Sequence, residues 1–257
     1  MPGIDRVAFY LFSTPVYWYG LTMASGILAG LIICMCREKL YGLEKDTSVT
    51  LALWAVPFAL IGARLYYVAF SWEQYRNNLM SILDLRSGGL GLYGSMISGI
   101  LVGYVFARKK RIPFLTLCDL AAPAFAMGQA IGRWGNFFNQ EAYGIAVTNE
   151  ALRFFPISVF IESDATWHLA TFFYESIWCL ALSIGLMVYE RRTTKRKKGD
   201  VFLWYILLYA LERAVVEGLR TDSLMLGSLR VSQILSIAAV VVCTAIVIAR
   251  RKQQGDR

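Results

Sequence analysis

The stretch VYWYGLTMASGILAGLIICMC, from Val16 to Cys36, runs for 21 residues without a single charged side chain. About 20 mostly apolar residues in a helix are enough to cross the hydrocarbon layer of a membrane. This stretch therefore predicts a transmembrane helix. The basic residues that follow it, beginning with Arg37 and Lys39, are typical of a helix that ends at a membrane surface.

The rest of the chain repeats this pattern. Its 257 residues are 57% apolar and only 17% charged, a composition that few soluble domains have. Six further windows are long and apolar enough to span: Val49 to Phe70, Gly88 to Ala107, Pro113 to Phe138, Leu169 to Tyr189, Val201 to Leu219 and Leu229 to Ala249. We therefore predict an all-α, polytopic membrane protein with about seven transmembrane helices.

Basic residues cluster after alternate spans, which orients the predicted helices. The four clusters are Arg37, Lys39 and Lys45; Arg108 to Arg111; Arg191, Arg192 and Lys195 to Lys198; and Arg250, Arg251, Lys252 and Arg257. Because Lys and Arg are enriched in cytoplasmic loops, the N-terminus is predicted outside and the C-terminus in the cytoplasm. Contact with anionic membrane lipids explains the net charge of +8, and the chain has no recognisable nucleic-acid module, so nucleic acid is not a predicted partner.

The domain organisation is predicted to be simple. No repeat of fixed period and no Ser/Gly-rich linker divides the chain, so residues 1–257 are interpreted as one membrane domain with an outer-face polar segment at about residues 140–167. The N-terminus has no basic region ahead of an apolar stretch, so no removable signal peptide is predicted.

The cysteines lack disulfide or metal spacing and are expected to be buried thiols, without a metal or other cofactor: Cys34, Cys36, Cys118, Cys179 and Cys243.

Polar residues interrupt the fourth span in AIGRWGNFFNQEAYG, from Ala130 to Gly144. On a helix, Arg133, Asn136 and Gln140 would share one face, while small residues beside them would allow a helix or a lipid headgroup to approach the backbone. One interpretation is a packing seam whose arginine extends to the outer headgroups. The accompanying amides, glutamate and glycines favour a functional site instead.

The sixth span ends with a second polar face, in LERAVVEGLRTDS. Helical spacing places Arg213, Glu217 and Arg220 on the same side. A structural ladder of ion pairs is one explanation. One carboxylate does not neutralise two arginines, however, and the remaining positive charge in a low dielectric favours an anion. Arginine suits a phosphate because its planar fork makes two charge-assisted hydrogen bonds.

Three other positions are candidates on weaker grounds. Tyr93 lies in the glycine-rich stretch SGGLGLYGSMISG, where close helix packing is the favoured local role. Glu175 lies at the start of the fifth span in ATFFYES. It is interpreted either as the buried ion-pair partner of an arginine or as a residue with a role in the chemistry of the site. Tyr19 starts the first span beside an aromatic belt. Arg64 in the second span is, with Arg133 and Arg213, an arginine inside an apolar window that needs an explanation.

The order of these segments resembles the bacterial prolipoprotein diacylglyceryl transferase family over nearly the whole chain. GRWGNFFNQE is similar to the family signature, a long motif of mixed composition that chance does not readily produce. The remaining segments follow in the family's order: VYWYGL, GARLYY, GLYGSMISG, TFFYES and LERAVVEGLR. The chain departs from the family at Tyr93, where many members have a histidine, at Ala170 in place of a proline and at Tyr17 in place of an arginine.

The resemblance implies a multi-pass transferase of the bacterial plasma membrane. Such enzymes move the diacylglyceryl unit of phosphatidylglycerol to the lipobox cysteine of a preprolipoprotein, forming a thioether and releasing glycerol phosphate. It implies catalytic roles for Arg133 and Arg213, and Tyr93, which stands in place of the family histidine, is a catalytic candidate on its own chemistry. It also implies substrate-binding roles for a further set: Tyr19, Asn136, Asn139, Glu141, Gly144, Glu217 and Arg220.

The chemistry of that reaction fits these residues. Arg133 and Arg213, meeting at one phosphate, would hold the lipid and bind more strongly as the leaving phosphate gains charge. The thiol must also lose a proton, and Tyr93 is expected to position the phosphate or relay a proton, since a phenol is a poor base. His168 is a candidate base, although a surface or packing role is the default. The rival interpretations are a transporter or channel for an anionic solute and a lipid-binding scaffold without turnover.

Overall fold

The structure is a computed structural model that describes residues 5–84, 88–193, 196–221, 225–226 and 229–255. Arg86, Lys195 and Arg257, which the sequence assigns to outer or cytoplasmic loops, lie outside the described residues, as does Ser87 of the glycine-rich stretch.

The described chain is mainly helical. Its α-helices are α1 (Trp18–Arg37), α2 (Thr47–Phe70), α3 (Trp72–Tyr75), α4 (Leu92–Lys110), α5 (Phe114–Asn139), α6 (Thr171–Arg192), α7 (Asp200–Glu217) and α8 (Val231–Gly255). Short 3-10 helices cover Glu38–Tyr41, Leu79–Leu83 and Glu150–Leu152. Apart from the four-residue α3, each α-helix falls on one of the seven predicted windows, so the positions of these helices were predicted correctly.

Five of these helices are long and apolar enough to cross a membrane within the described residues: α1 with its 3-10 extension, α2, α5, α6 and α8. Helix α4 ends in three consecutive basic residues, and α7 carries Asp200, Glu212, Arg213 and Glu217. These charges lower the hydropathy of α4 and α7 along the length that a span requires.

Three short antiparallel hairpins depart from the all-α expectation. They pair β1 (Val7–Leu11) with β2 (Thr14–Tyr17), β3 (Ser158–Ile161) with β4 (Thr166–Leu169), and β5 (Met225–Leu226) with β6 (Leu229–Arg230). The turn of the first hairpin is Phe12 and Ser13, which both have positive φ angles, of 46° and 64°. Two consecutive residues with positive φ form a turn whose backbone twist matches the twist of the two strands that it joins.

The chain separates into two compact units, one of Cys34–Leu120 and one of Met1–Ile33 with Ala121–Arg257. In the first of these, α2 and α4 cross where both helices have glycine. A Cβ atom on Gly94 would lie 2.2 Å from the carbonyl oxygen of Gly62. The predicted close packing of the glycine-rich stretch is thus confirmed at this crossing.

Arg64 of α2 has a structural role in the same unit. Its side chain donates five hydrogen bonds of 2.7 to 3.0 Å to backbone carbonyl oxygens, those of Ser81, Ile82, Asp84, Gly88 and Gly89. The guanidinium also lies 5.1 Å from the centre of the Tyr75 ring. Arg64 is only 4% exposed and its donors are taken, which explains this intramembrane arginine without a ligand.

Arg37, the last residue of α1, also has a structural role in this unit. Its side chain is 3% exposed and donates to the carbonyl oxygens of Asp119 and Leu120 in α5, at 3.1 and 2.6 Å. Pro123 has no N–H and so leaves the carbonyl of Asp119 without its helical donor. Arg37 supplies that missing hydrogen bond.

The second unit contains the interior formed by α5, α6 and α7. Its core combines small residues of α5 with larger ones of the other two helices: Ala122, Ala126, Leu182, Leu186 and Val201. Helix α1 approaches α5 closely where Gly26 meets Gly128, since a Cβ atom on Gly26 would lie 3.1 Å from the Gly128 carbonyl oxygen.

The predicted outer segment, residues 140–167, packs on the helices of this unit. Val159 and Ile161 of β3 join a buried cluster with Phe172 of α6, and Trp134 and Phe137 of α5 pack against that cluster. The outer segment is therefore held against the helices of this unit.

The five cysteines all lie in the described part of the chain and form no disulfide. Cys179 and Cys243 are buried as predicted, and Cys34 and Cys118 are partly buried. Cys36 is exposed on the protein surface, so the expectation of a buried thiol was wrong there.

Candidate active site

Two arginines from different helices meet at one buried carboxylate. Arg133 of α5 places Nε 2.5 Å from Oε2 of Glu175, and Arg213 of α7 places Nη1 2.8 Å from Oε1 of the same residue. The Glu175 side chain, one turn into α6, is 2% exposed. Glu175 is therefore the buried partner of an arginine that one interpretation of its sequence position required, and it brings the two predicted guanidinium groups together.

Two more residues complete this arginine cluster. Glu217 lies one turn beyond Arg213 on α7, with Oε2 2.5 Å from Arg213 Nη2, in an ion pair that is not aligned as a hydrogen bond. Arg220, just past the helix end, has Nη1 4.0 Å from Oε1 of Glu175. The predicted face of the sixth span thus contributes all three of its residues to the cluster.

Hydrogen bonds next to the cluster hold α5 against α6. Trp134 Nε1 donates to Ser176 Oγ at 3.1 Å, and Ser176 Oγ donates to the carbonyl of Ala130 at 2.7 Å. These residues neighbour Arg133 and Glu175 in sequence. The positions of the two charged groups are therefore determined by contacts of the adjoining side chains.

Arg133 has hydrogen-bond donors that the carboxylates of the cluster do not take up. Arg133, Arg213 and Arg220 lie around the carboxylates of Glu175 and Glu217. Within the described part of the chain, the two Nη atoms of Arg133 make no hydrogen bond, and its side chain is 18% exposed. A partly exposed guanidinium edge with unused donors suits the paired oxygens of a phosphate.

The outer rim of the site departs from the predicted helical face. Helix α5 ends at Asn139, and Gln140 has a positive φ of 52°, so it leaves the face of Arg133 and Asn136. Gln140 Oε1 instead accepts the backbone N–H of Glu162 at 2.8 Å. The shared helical face that spacing predicted for Gln140 was therefore wrong.

The amides of the signature contact its glutamate. Asn136 Nδ2 donates to Glu141 Oε1 at 2.8 Å, and Asn139 Nδ2 lies 3.5 Å from the same oxygen. The backbone N–H of Glu141 returns a bond to the Asn136 carbonyl at 3.0 Å. These three side chains form a polar group at the outer end of α5, and their substrate-binding role stays a prediction.

Gly144 and Tyr19 occupy positions of close packing. A Cβ atom on Gly144 would lie 2.9 Å from Leu169 Cβ, and the Gly144 backbone bridges to that of Arg220. Tyr19 lies against α5, where a Cβ atom on Gly135 would be 2.8 Å from its ring. Gly144 therefore holds the outer segment against the end of α7, and the binding roles predicted for these two residues stay predictions.

Tyr93 belongs to the unit of Cys34–Leu120, at the start of α4. Its side chain is 56% exposed, and its ring centre lies 6.1 Å from that of Tyr66. Its predicted role in positioning a phosphate or relaying a proton stays a prediction.

His168 has no free ring nitrogen. Nδ1 lies 2.7 Å from the carbonyl oxygen of Gly144, and Nε2 lies 2.7 Å from Oδ2 of Asp164. The residue is 6% exposed in β4. The structure thus supports the packing role over a role as general base.

Sequence analysis missed two residues of this region. Arg230 donates to the backbone carbonyls of Glu217 and Arg220, and so holds the end of α7 where two cluster residues lie. Glu212, next to Arg213 in sequence, is 6% exposed. Glu212 belongs to the quoted stretch LERAVVEGLRTDS but not to the helical face of Arg213, and Arg230 lies in no quoted motif, so only the helix packing reveals the roles of both residues.

The family profile described as prolipoprotein diacylglyceryl transferase matches residues 6–249 of the chain. Proteins from Bacillus cytotoxicus, Bacillus cereus and Bacillus anthracis, each named phosphatidylglycerol–prolipoprotein diacylglyceryl transferase, are 44% identical to the chain over 262 residues. These alignments cover 100% of this chain and 96% of each relative.

Proposed function

Because the chain belongs to the prolipoprotein diacylglyceryl transferase family, we propose that its arginine cluster binds the headgroup phosphate of phosphatidylglycerol and stabilises it as the leaving group. The chain is a membrane enzyme that transfers a diacylglyceryl group from phosphatidylglycerol to prolipoproteins, the first step of lipoprotein maturation. The proposal assigns parts of that reaction to particular residues.

The acceptor is the thiol of the lipobox cysteine in the preprolipoprotein signal peptide. The thiolate attacks the glyceryl carbon next to the phosphate, a C–S bond forms and the C–O bond to the phosphate breaks. The products are a thioether and glycerol phosphate. A phosphodiester with one negative charge becomes a phosphate monoester with two, so groups that bind the second charge lower the barrier.

A single observation carries this assignment: Arg133 and Arg213, from two helices, meet at one buried carboxylate. A guanidinium does not lose its proton, so the charge persists while the phosphate binds and leaves. The unused Nη atoms of Arg133 are proposed to contact the phosphate first. Tyr19, Asn136, Asn139, Glu141 and Gly144 are proposed to border the bound lipid or peptide, and Tyr93 to act on the phosphate or the proton.

The experiment incubates the purified protein with phosphatidylglycerol vesicles and a lipobox peptide, and follows the mass of the peptide. We expect the wild-type protein to add one diacylglyceryl group to the cysteine. Arg133→Ala and Arg213→Ala should each abolish this mass gain. Arg76→Ala is the control, because Arg76 is exposed and pairs only with Glu73, so its loss should leave the rate unchanged.

Full activity in Arg133→Ala would contradict the proposed phosphate site. An anion transporter would give solute flux across the vesicles without a mass gain, and a lipid-binding scaffold would bind phosphatidylglycerol without one. The same vesicles therefore separate the three functions.

The proposal extends to the membrane arrangement. We propose that α4 and α7 also cross the bilayer, which makes seven spans, and that residues 1–257 act as one catalytic domain in the bacterial plasma membrane. The N-terminus and residues 140–167 then lie outside and the C-terminus in the cytoplasm. The basic ends of α4, α6 and α8 support this orientation.

A further inference from the structure

Glu212 is a buried carboxylate without a partner among the described residues. It lies in α7, is 6% exposed, and both of its carboxylate oxygens are shielded without a hydrogen bond. A buried polar group left in this state destabilises the fold, because it loses its contacts with water and gains none in return. Such a group in a native structure therefore calls for a functional explanation.

The surroundings of Glu212 connect it to the arginine cluster. The groups that act on it electrostatically are Glu175, Arg133, Arg213 and Arg220, which come from α6, α5 and the end of α7. Cys179, one turn after Glu175 on α6, also lies within electrostatic range of it. Glu212 is thus a third carboxylate for three arginines. When Glu212 takes up a proton, the charge of the cluster rises by one positive unit.

The transfer reaction needs a group with these properties. The acceptor thiol must give up a proton, and a general base with a free oxygen or nitrogen must take it. Both ring nitrogens of His168 already face oxygen atoms, and Glu175 and Glu217 are held in ion pairs. Glu212 is the carboxylate of the cluster whose oxygens have no partner in the described part of the chain.

We propose that Glu212 accepts the proton of the prolipoprotein thiol, directly or through one water. This inference rests on the proposed function. The S–H bond breaks and its proton goes to a Glu212 oxygen, the sulfur electron pair forms the C–S bond, and the electrons of the broken C–O bond stay on the phosphate oxygen. Glu212 then supplies the proton to the departing phosphate or to water, which restores the carboxylate.

The charges balance through this step. As Glu212 takes the proton, the cluster gains one positive charge, and the phosphate changes from one negative charge to two. The total charge of cluster and lipid is therefore constant in a low-dielectric site, where an uncompensated charge is most costly. Proton uptake by Glu212 strengthens the attraction between arginines and phosphate at the moment of leaving, which is the differential binding that catalysis requires.

The test compares two lipobox peptides, one with cysteine and one with selenocysteine, on the wild-type protein and Glu212→Gln. A selenol is already ionised at neutral pH and needs no base. We expect Glu212→Gln to slow transfer to the cysteine peptide by about 10²–10⁴-fold, the usual contribution of a general base. Transfer to the selenocysteine peptide should change by less than about tenfold.

Glu190→Gln is the matched control. Glu190 is also buried in this unit, 3% exposed near the far end of α6. Both peptides should react with this variant as they do with the wild type.

Equal loss with both peptides would mean a merely structural role, and unchanged rates with both would mean no role; either result overturns the inference. If Glu212→Gln does not fold, Glu212→Asp replaces it in the test. This variant withdraws the carboxylate by one methylene, and it must still slow transfer to the cysteine peptide more than transfer to the selenocysteine peptide. If the wild-type protein modifies neither peptide, the proposed function itself fails. If the wild-type protein modifies the peptides but Glu212→Gln leaves the ratio of their two transfer rates unchanged, only the proposed role of Glu212 is overturned.

Discussion

At the scale of single residues, the three arginines inside apolar windows have different roles. Arg64 gives its donors to five backbone carbonyls, so its charge is fully used within its own unit. Arg133 and Arg213 share Glu175, and the Nη atoms of Arg133 make no hydrogen bond in the described chain. The sequence shows three similar exceptions, and only the hydrogen bonds distinguish a structural arginine from a candidate ligand-binding one.

The stability of the two active-site variants should differ. Arg133→Ala leaves Glu175 paired with Arg213, whereas Arg213→Ala removes the partner of Glu217 and one partner of Glu175, whose side chains are 1% and 2% exposed. Breaking a buried ion pair costs about 3–5 kcal/mol. We expect both variants to lose transfer activity, but Arg213→Ala to unfold at a clearly lower temperature in detergent. Equal melting temperatures would contradict the contact pattern described for Glu217.

At the scale of elements, glycines decide where helices cross. In the first span, Gly26 lies against Gly128 of α5, and in the second, Gly62 lies against Gly94 of α4. Without a hydrophobic driving force inside the bilayer, helices associate through close van der Waals contact, which small residues permit. The glycine-rich stretch around Tyr93 is therefore a helix-packing device.

Two glycine substitutions on α4 should have opposite effects. Gly94→Ala places a methyl group 2.2 Å from the Gly62 carbonyl oxygen and 2.4 Å from Tyr66 Cβ, so the helices must separate. Overpacking of this kind costs about 1–3 kcal/mol. Gly99→Ala meets no atom within 4 Å and should be neutral or stabilise the helix by up to about 1 kcal/mol. Thermal unfolding of both variants in detergent checks this, and a Gly94→Ala protein as stable as Gly99→Ala would exclude the close crossing.

At the scale of the whole molecule, the proposed membrane orientation rests on charge. The last turns of α4, α6 and α8 carry Arg or Lys, as do the residues after α1. If these ends are cytoplasmic, the arginine cluster and the outer segment lie toward the opposite surface.

Reporter fusions check this orientation. A fluorescent protein that folds only in the cytoplasm, fused after Arg250, should fluoresce, because the C-terminal basic cluster retains that end inside. Alkaline phosphatase, which is active only outside the cytoplasm, should be active when fused after Phe160 and inactive when fused after Arg111. The reverse pattern would overturn the proposed topology.

The sequence alone determined the positions and order of the seven long helices, and it indicated Arg133 and Arg213 as the residues most open to functional interpretation. Apolar length and flanking charge are local properties, and membrane solvation imposes helix on any apolar segment of that length. The convergence of Arg133 and Arg213 was also foreseeable, since each lies in a polar face near the end of a span predicted to meet the same outer surface.

The tertiary structure decided the rest. Glu212 lies in LERAVVEGLRTDS but off the predicted polar face, and its burial beside the cluster depends on how α5, α6 and α7 pack. Gln140 leaves its predicted face because the helix ends one residue earlier, and His168 is occupied by partners 24 and 4 residues away. Side-chain spacing along a chain predicts which residues share a face of one helix. Which carboxylate neutralises which arginine depends on distances between helices, and these are set only when the helices pack.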